Sequence, residues 1–181
     1  MISESNPQLL KNDWGRQIHD KVKSGDHMAA FVQWGEAMAA LTDPIDDDDL
    51  TRTIWNRIVE SAEQANEPGV FTAIHGFEWT SLPDGNNLHR VVMFRDDAGK
   101  VEDLVPYSNY DSSDPEDLWA WMQKYEEKTG GQVLAIPHNG NLSNGLMFDD
   151  VRMNGEPIDV DYAERRMRWE PLYEVTQVKG D

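Results

Sequence analysis

Near residue 70 the hydrophobic period of this chain changes, and that change limits the folds open to it. Before it, apolar residues recur at three and four: Leu10, Trp14, Ile18 and Val22, then Met28, Phe31 and Val32, then Ile54, Trp55, Ile58, Val59 and Ala62. Such spacing lays an apolar stripe along a helix. It predicts two helices over 8–41 separated at Gly25, and a third that starts after the acidic turn "TDPIDDDD" (42–49) and stops near "NEPG" (66–69). After it come four short runs rich in β-branched and aromatic residues: "VFTAIHGFEW" (70–79), "LHRVVMF" (88–94), "QVLAIP" (132–137) and "LYEVTQV" (172–178). These predict strands. Two further helices fall among them, "DPEDLWAWMQKYEEKTGG" (114–131), with Asp114 as cap and Pro115 at its first position, and "DVDYAERRMRWE" (159–170). Helix and strand alternate from residue 50 onward, the pattern of an α/β layer with mostly parallel strands.

The 181 residues suffice for one domain with a real core. A net charge of -18 argues against nucleic acid or an anionic membrane as partner, because phosphate contacts need clustered Lys and Arg. No apolar run approaches the ~20 residues of a membrane helix, and the first residues carry no basic and apolar signal segment. There is no cysteine, so disulfides and thiolate metal sites are excluded and any metal must use His, Asp or Glu. The compartment is left open.

Candidate chemistry gathers at strand ends. Glu78 ends the first strand, His89 opens the second, and His138 follows the third, leading into "NGNLSNG" (139–145). Two imidazoles and a carboxylate suit a divalent zinc, manganese or iron ion with open positions for water. Asn139, Asn141 and Asn144 can hydrogen-bond a substrate or the ligands around it, while Gly140 and Gly145 allow close backbone approach. The blander alternatives are a Glu78 paired with Arg90 or Arg95, a hydrogen-bonded structural His138, and a loop that is simply a tight turn. Glu174, inside the last run, is either a supporting partner of the site or half of an ion pair with Arg165, Arg166 or Arg168. His75, offset by three from Glu78, points to the other sheet face as a packing or surface residue. His19 and His27 belong to solvated helix positions, Lys179 to a solvated strand end, and the tryptophans to the packing of helices on the sheet.

The stretches "FTAIHGFEWTSLPDGNNLHRVVMFRD", "DPEDLWAWMQKYEEKTGGQVLAIPHNGNLSNGLMF" and "YAERRMRWEPLYEVTQVKGD" resemble the bacterial domain-of-unknown-function family 3604 (DUF3604), itself similar to the polymerase-and-histidinol-phosphatase (PHP) metallohydrolases. That resemblance implies a distorted (β/α) barrel with metal ions at the C-terminal ends of its strands. Glu78 matches the metal-bridging glutamate, His89 and His138 match two single-histidine ligands, and Glu174 falls in a strand like the "Glu-Val" strand of such barrels. His75 stands where an apolar residue is usual. The His-x-His, Asp-His and Asp-x-His motifs of PHP enzymes are absent, so the resemblance implies a central fragment: a helical, insertion-like segment with an acidic linker over 1–49 and the middle of the barrel over 50–181. The implied function of the parent is metal-dependent hydrolysis of a small anionic phosphoester-type or related ester, with Glu78 and His138 catalytic, weak or no activity in the fragment alone, and a parent that is either exported to the periplasm or cytoplasmic. The alternative is a non-catalytic α/β module that binds a carbohydrate or protein.

Overall fold

A computed structural model describes residues 5–178, which leaves Lys179 outside the described residues. Six helices and three strands follow in the order α1 (Asp13–Ser24), α2 (His27–Ala39), α3 (Asp48–Ala65), β1 (Gly76–Trp79), β2 (Arg90–Phe94), α4 (Ala98–Val101), α5 (Pro115–Thr129), β3 (Val133–Pro137) and α6 (Val160–Trp169). The longer helices all begin on an Asn or Asp whose side chain takes a first-turn N–H. Asn12, Asp26, Asp47, Asp114 and Asp159 accept from Gly15, Ala29, Leu50, Glu116 and Tyr162 respectively. Part of the acidity of the chain is therefore spent on groups that a helix start leaves unpaired. Gly25 and Gly130 end α1 and α5 at φ 84 and 64°, a left-handed conformation that favours glycine.

The strands form an open antiparallel sheet in the order β1-β2-β3. This overturns the expected parallel layer and, with it, the partial (β/α) barrel. A parallel pair needs a long crossover, whereas the ten residues between Trp79 and Arg90 only turn back on themselves. Between β2 and β3 the chain does pass through α4 and α5, but it returns to the end it left, since Phe94 pairs with Val133. Two predicted strands also shrink or vanish. Of 70–79 only the last four residues join the sheet, and Val70, Phe71 and Ile74 are exposed. The run 172–178 forms no strand, touching β3 through one bond from Glu174 N–H to the Pro137 carbonyl at 3.2 Å.

One face of the sheet is buried beneath α3, α5 and α6. Trp79, Val92, Phe94, Val133 and Ala135 meet Trp55 and Val59, then Leu118, Trp119, Met122 and Tyr125, then Tyr162 and Trp169. Edge-on ring contacts, 6.0 Å between Trp55 and Phe94 and 4.9 Å between Phe94 and Tyr125, knit the helices to the central strand. Each large side chain removed from water here contributes about 1.5–3 kcal/mol. Within this apolar layer lies an ion cluster. Arg90, 2% exposed, donates from Nε to Glu170 Oε1 at 3.0 Å; Trp119 Nε1 donates to the same oxygen at 2.9 Å, and Arg166 Nε to Oε2 at 3.1 Å. The cluster fixes the β2 residue that immediately follows His89.

Candidate functional site

Strand register decides which side chains meet. On β2, Arg90, Val92 and Phe94 face the helices, so Val91, Met93 and His89 face the other way. On β3, Val133, Ala135 and Pro137 are buried, which turns His138 to the same outer face as His89. The pairing Arg90↔Pro137 continues one step further as His138 N–H bonds the His89 carbonyl at 3.0 Å, making the two histidines direct cross-strand neighbours. Their rings lie 5.9 Å apart at 75°. Glu78, opposite Val91, is the diagonal neighbour of His89, and its Oε1 lies 3.0 Å from His89 Nδ1. Glu78, His89 and His138 thus share one end and one face of the sheet. The Glu78 side chain is half exposed, at 53%, while His138 is buried at 6%.

Hydrogen bonds fix the tautomer of His138. Nδ1 lies 2.8 Å from the Asn139 carbonyl, which can only accept, so Nδ1 carries the proton. The Asn87 amide nitrogen lies against the ring edge, 3.2 Å from Nδ1 and 3.4 Å from Nε2, and with the proton on Nδ1 only Nε2 can accept from it. Asn87 also accepts the His89 backbone N–H at 3.0 Å, and its own N–H reaches the Leu142 carbonyl at 2.9 Å. It therefore ties both histidines and the following loop together. Sequence reasoning missed it, because an Asn in "DGNN" reads as a turn former.

Behind His138, Asn139 is fully buried and its N–H donates to Glu174 Oε2 at 3.1 Å, an oxygen that also accepts from Gln177 Nε2 at 2.8 Å. Glu174 thus buttresses the loop that orients His138. Asn144 is exposed and its amide donates to Asn86 Oδ1, joining the loop after β3 to the one after β1. The Asn141 side chain makes no hydrogen bond among the described residues.

The other sequence candidates lie elsewhere. Glu78 pairs with His89 rather than with Arg90 or Arg95; Arg90 belongs to the Glu170 cluster, and Arg95 has Gln132 as partner. His75 sits at the opposite end of β1, 5% exposed, with Nε2 2.7 Å from Glu63 Oε1. His27 is exposed, but His19 is not solvated: it is 9% exposed, between the Ser5 hydroxyl and Asp20 at 3.0 Å each.

Among the described residues no three His, Asp or Glu side chains are already gathered as an ion cage. Glu78 and His89 point at each other, and the His138 ring edge lies against the Asn87 amide. The donor set nevertheless fits a divalent ion chemically: a carboxylate and two imidazoles on one face, one imidazole with its far nitrogen held by a carbonyl, as metal-binding histidines usually are. Binding would replace the Glu78–His89 and Asn87–His138 hydrogen bonds. No curated protein and no solved structure matched the chain. A family profile did, that of DUF3604, described as a protein of unknown function, over residues 2–181, and the chain belongs to that family.

Proposed function

We propose that Glu78, His89 and His138 form the metal-binding part of a hydrolase acting on phosphoester-type or related anionic ester bonds. The observation that carries this reading is the cross-strand His89–His138 pair, with Glu78 3.0 Å from His89 on the same face. The sequence resemblance to PHP metallohydrolases at these positions supports it. A divalent ion held here would lower the pKa of a bound water and offset charge building on the substrate oxygens. Glu78, the most exposed of the three, would serve as general base toward such a water. The Asn139 carbonyl accepts a hydrogen bond from the Nδ1 proton of His138, which makes Nε2 the nitrogen for an ion, and Glu174 keeps Asn139 in place. Asn144 and Asn86, on the loop rims, are available to a substrate oxygen.

The test has two arms. Zinc and manganese titrations followed by calorimetry, on the protein and on its His138→Ala variant, should give saturable binding that the variant loses; equal stoichiometry in both removes His138. Hydrolysis of aryl phosphates, diesters, phosphonate esters and aryl sulfates with added metal should depend on Glu78, and no turnover of any of them would sink the hydrolase reading. One observation favours a second reading, a non-catalytic binding module: each donor group already has a protein partner. That reading expects carbohydrate or protein binding unaffected by chelators.

A further inference from the structure

Three Asn-Gly pairs occur in the chain: Asn139–Gly140, Asn144–Gly145 and Asn154–Gly155. In such pairs the backbone nitrogen of the glycine can attack the asparagine side-chain amide, because no Cβ crowds the approach. The fold treats the three differently. Asn139 is 0% exposed and its N–H is held by Glu174. Asn154 is exposed but pinned within a turn. The Gly155 N–H donates to the Arg152 carbonyl at 2.8 Å, and Asn154 Oδ1 accepts from Glu156 N–H at 2.9 Å, with Nδ2 on Glu156 Oε2 at 3.3 Å. At the third pair both residues are exposed, and the Gly145 N–H has no acceptor among the described residues. The backbone turns here too, Leu146 N–H donating to the Ser143 carbonyl at 3.0 Å, but the attacking Gly145 N–H takes no part in that turn, and the Asn144 side-chain amide has a single bond among the described residues, from Nδ2 to Asn86 Oδ1.

We propose that Asn144 is a site of spontaneous deamidation, selected by the fold from three pairs of equal intrinsic reactivity. The Gly145 nitrogen forms a bond to Asn144 Cγ, the bond from Cγ to the side-chain nitrogen breaks, and ammonia leaves with the proton given up by Gly145. Water then opens the cyclic imide at either carbonyl, leaving aspartate or isoaspartate at 144. No oxidant or reductant takes part. The new carboxylate faces the Asn86 oxygen, acceptor against acceptor, so the side-chain link between the two loops beside His138 is lost. The Asn87 N–H to Leu142 bond remains as the backbone link. The proposal does not depend on the hydrolase reading, since it concerns only exposure and hydrogen bonding of the loop.

Peptide mapping by mass spectrometry tests it, on native protein held at mildly alkaline pH and on urea-unfolded protein in parallel. Unfolded, the three pairs should react at similar rates. Folded, Asn144 should slow least, by roughly tenfold for its single side-chain bond, while Asn154, held by three hydrogen bonds, slows more and the buried Asn139 slows further. Native reaction at Asn154 or Asn139 that equals or exceeds that at Asn144 overturns the proposal, as does equal protection of all three. Asn86→Ala should speed the reaction at Asn144 alone; an unchanged rate removes the restraint assigned to Asn86.

Discussion

Replacing Glu170 by Gln tests the most consequential energetic inference from this fold. The side chain is 1% exposed and receives three donors, from Arg90, Trp119 and Arg166. The substitution keeps volume and one acceptor oxygen but removes the charge, leaving the buried Arg90 guanidinium uncompensated and turning an N–H₂ toward Arg166. At charge separations of about 4 Å and an effective dielectric near 20, one Arg–carboxylate attraction is about 4 kcal/mol. Desolvation offsets much of that in the intact pair, but it is not recovered when one partner is deleted, so breaking a buried pair costs about 3–5 kcal/mol. For a domain stable by about 5–15 kcal/mol that is a large share. Urea titration should show the midpoint falling steeply with the slope unchanged. The paired replacement of Arg90 and Glu170 by Met and Leu should cost less than Glu170→Gln alone, because the fully buried Arg90 charge goes with its partner and the Arg166 left behind is 19% exposed and still donates to the Met147 carbonyl. A Glu170→Gln protein within about 1 kcal/mol of the parent would refute the reasoning, since that is the range of an exposed ion pair.

Three further perturbations probe other parts of the molecule. Burial opposes ionisation of Asp96, but the Gln132 backbone N–H, the Tyr125 hydroxyl and Lys100 outweigh it and hold its carboxyl below the ordinary range. Its contribution is therefore complete above the unfolded-state pKa of about 4 and disappears as pH falls through the lower folded value; Asp96→Asn should flatten the acid limb of a stability–pH profile, and an unaltered limb would contradict the assignment. A Cβ on Gly76 would lie 2.6 Å from the Val92 carbonyl oxygen, within the sheet backbone, so Gly76→Ala should cost about 1–3 kcal/mol in thermal or urea unfolding. Asn87→Ala strips the acceptor from His89 N–H and the donor from His138, which should lower stability by about 1–3 kcal/mol and release the His138 ring, detectable as altered imidazole nitrogen shifts in NMR.

Local signals explain what could be read from the chain in advance. The helix starts at Asp114 and Asp159, and the break at Gly25, depend on residues within one turn of each other, and there the sequence sufficed. Strands depend on partners that a single run does not name. "VFTA" and "LYEVTQV" have the same composition as the runs that do pair, yet Val70 and Phe71 lie in solvent and Val175 is 76% exposed, because strand preference measures fit to a neighbour more than an intrinsic leaning. Strand direction is hidden for a related reason: a helix between two strands predicts a parallel crossover, but the long stretch from Glu102 to Asp114, ahead of α5, lets the chain return to its point of departure.

That the three candidate donors still converge follows from parity rather than direction. Opposed residues in an antiparallel ladder share a face, and so do those two apart, so His138, His89 and Glu78 fall together once Arg90 pairs with Pro137 and Trp79 with Arg90. A slip of one residue between β1 and β2 would send Glu78 into the layer filled by Trp55, Trp79 and Phe94, and bring Trp79 out beside His89. Burying a carboxylate there without a cation would cost several kcal/mol, and exposing a tryptophan that is now 0% exposed would forfeit its transfer energy as well. The hydrophobic core is thus what sets the registry of the polar site: the alternation that buries Trp79, Val92 and Ala135 is the same alternation that presents Glu78, His89 and His138 together on the opposite face.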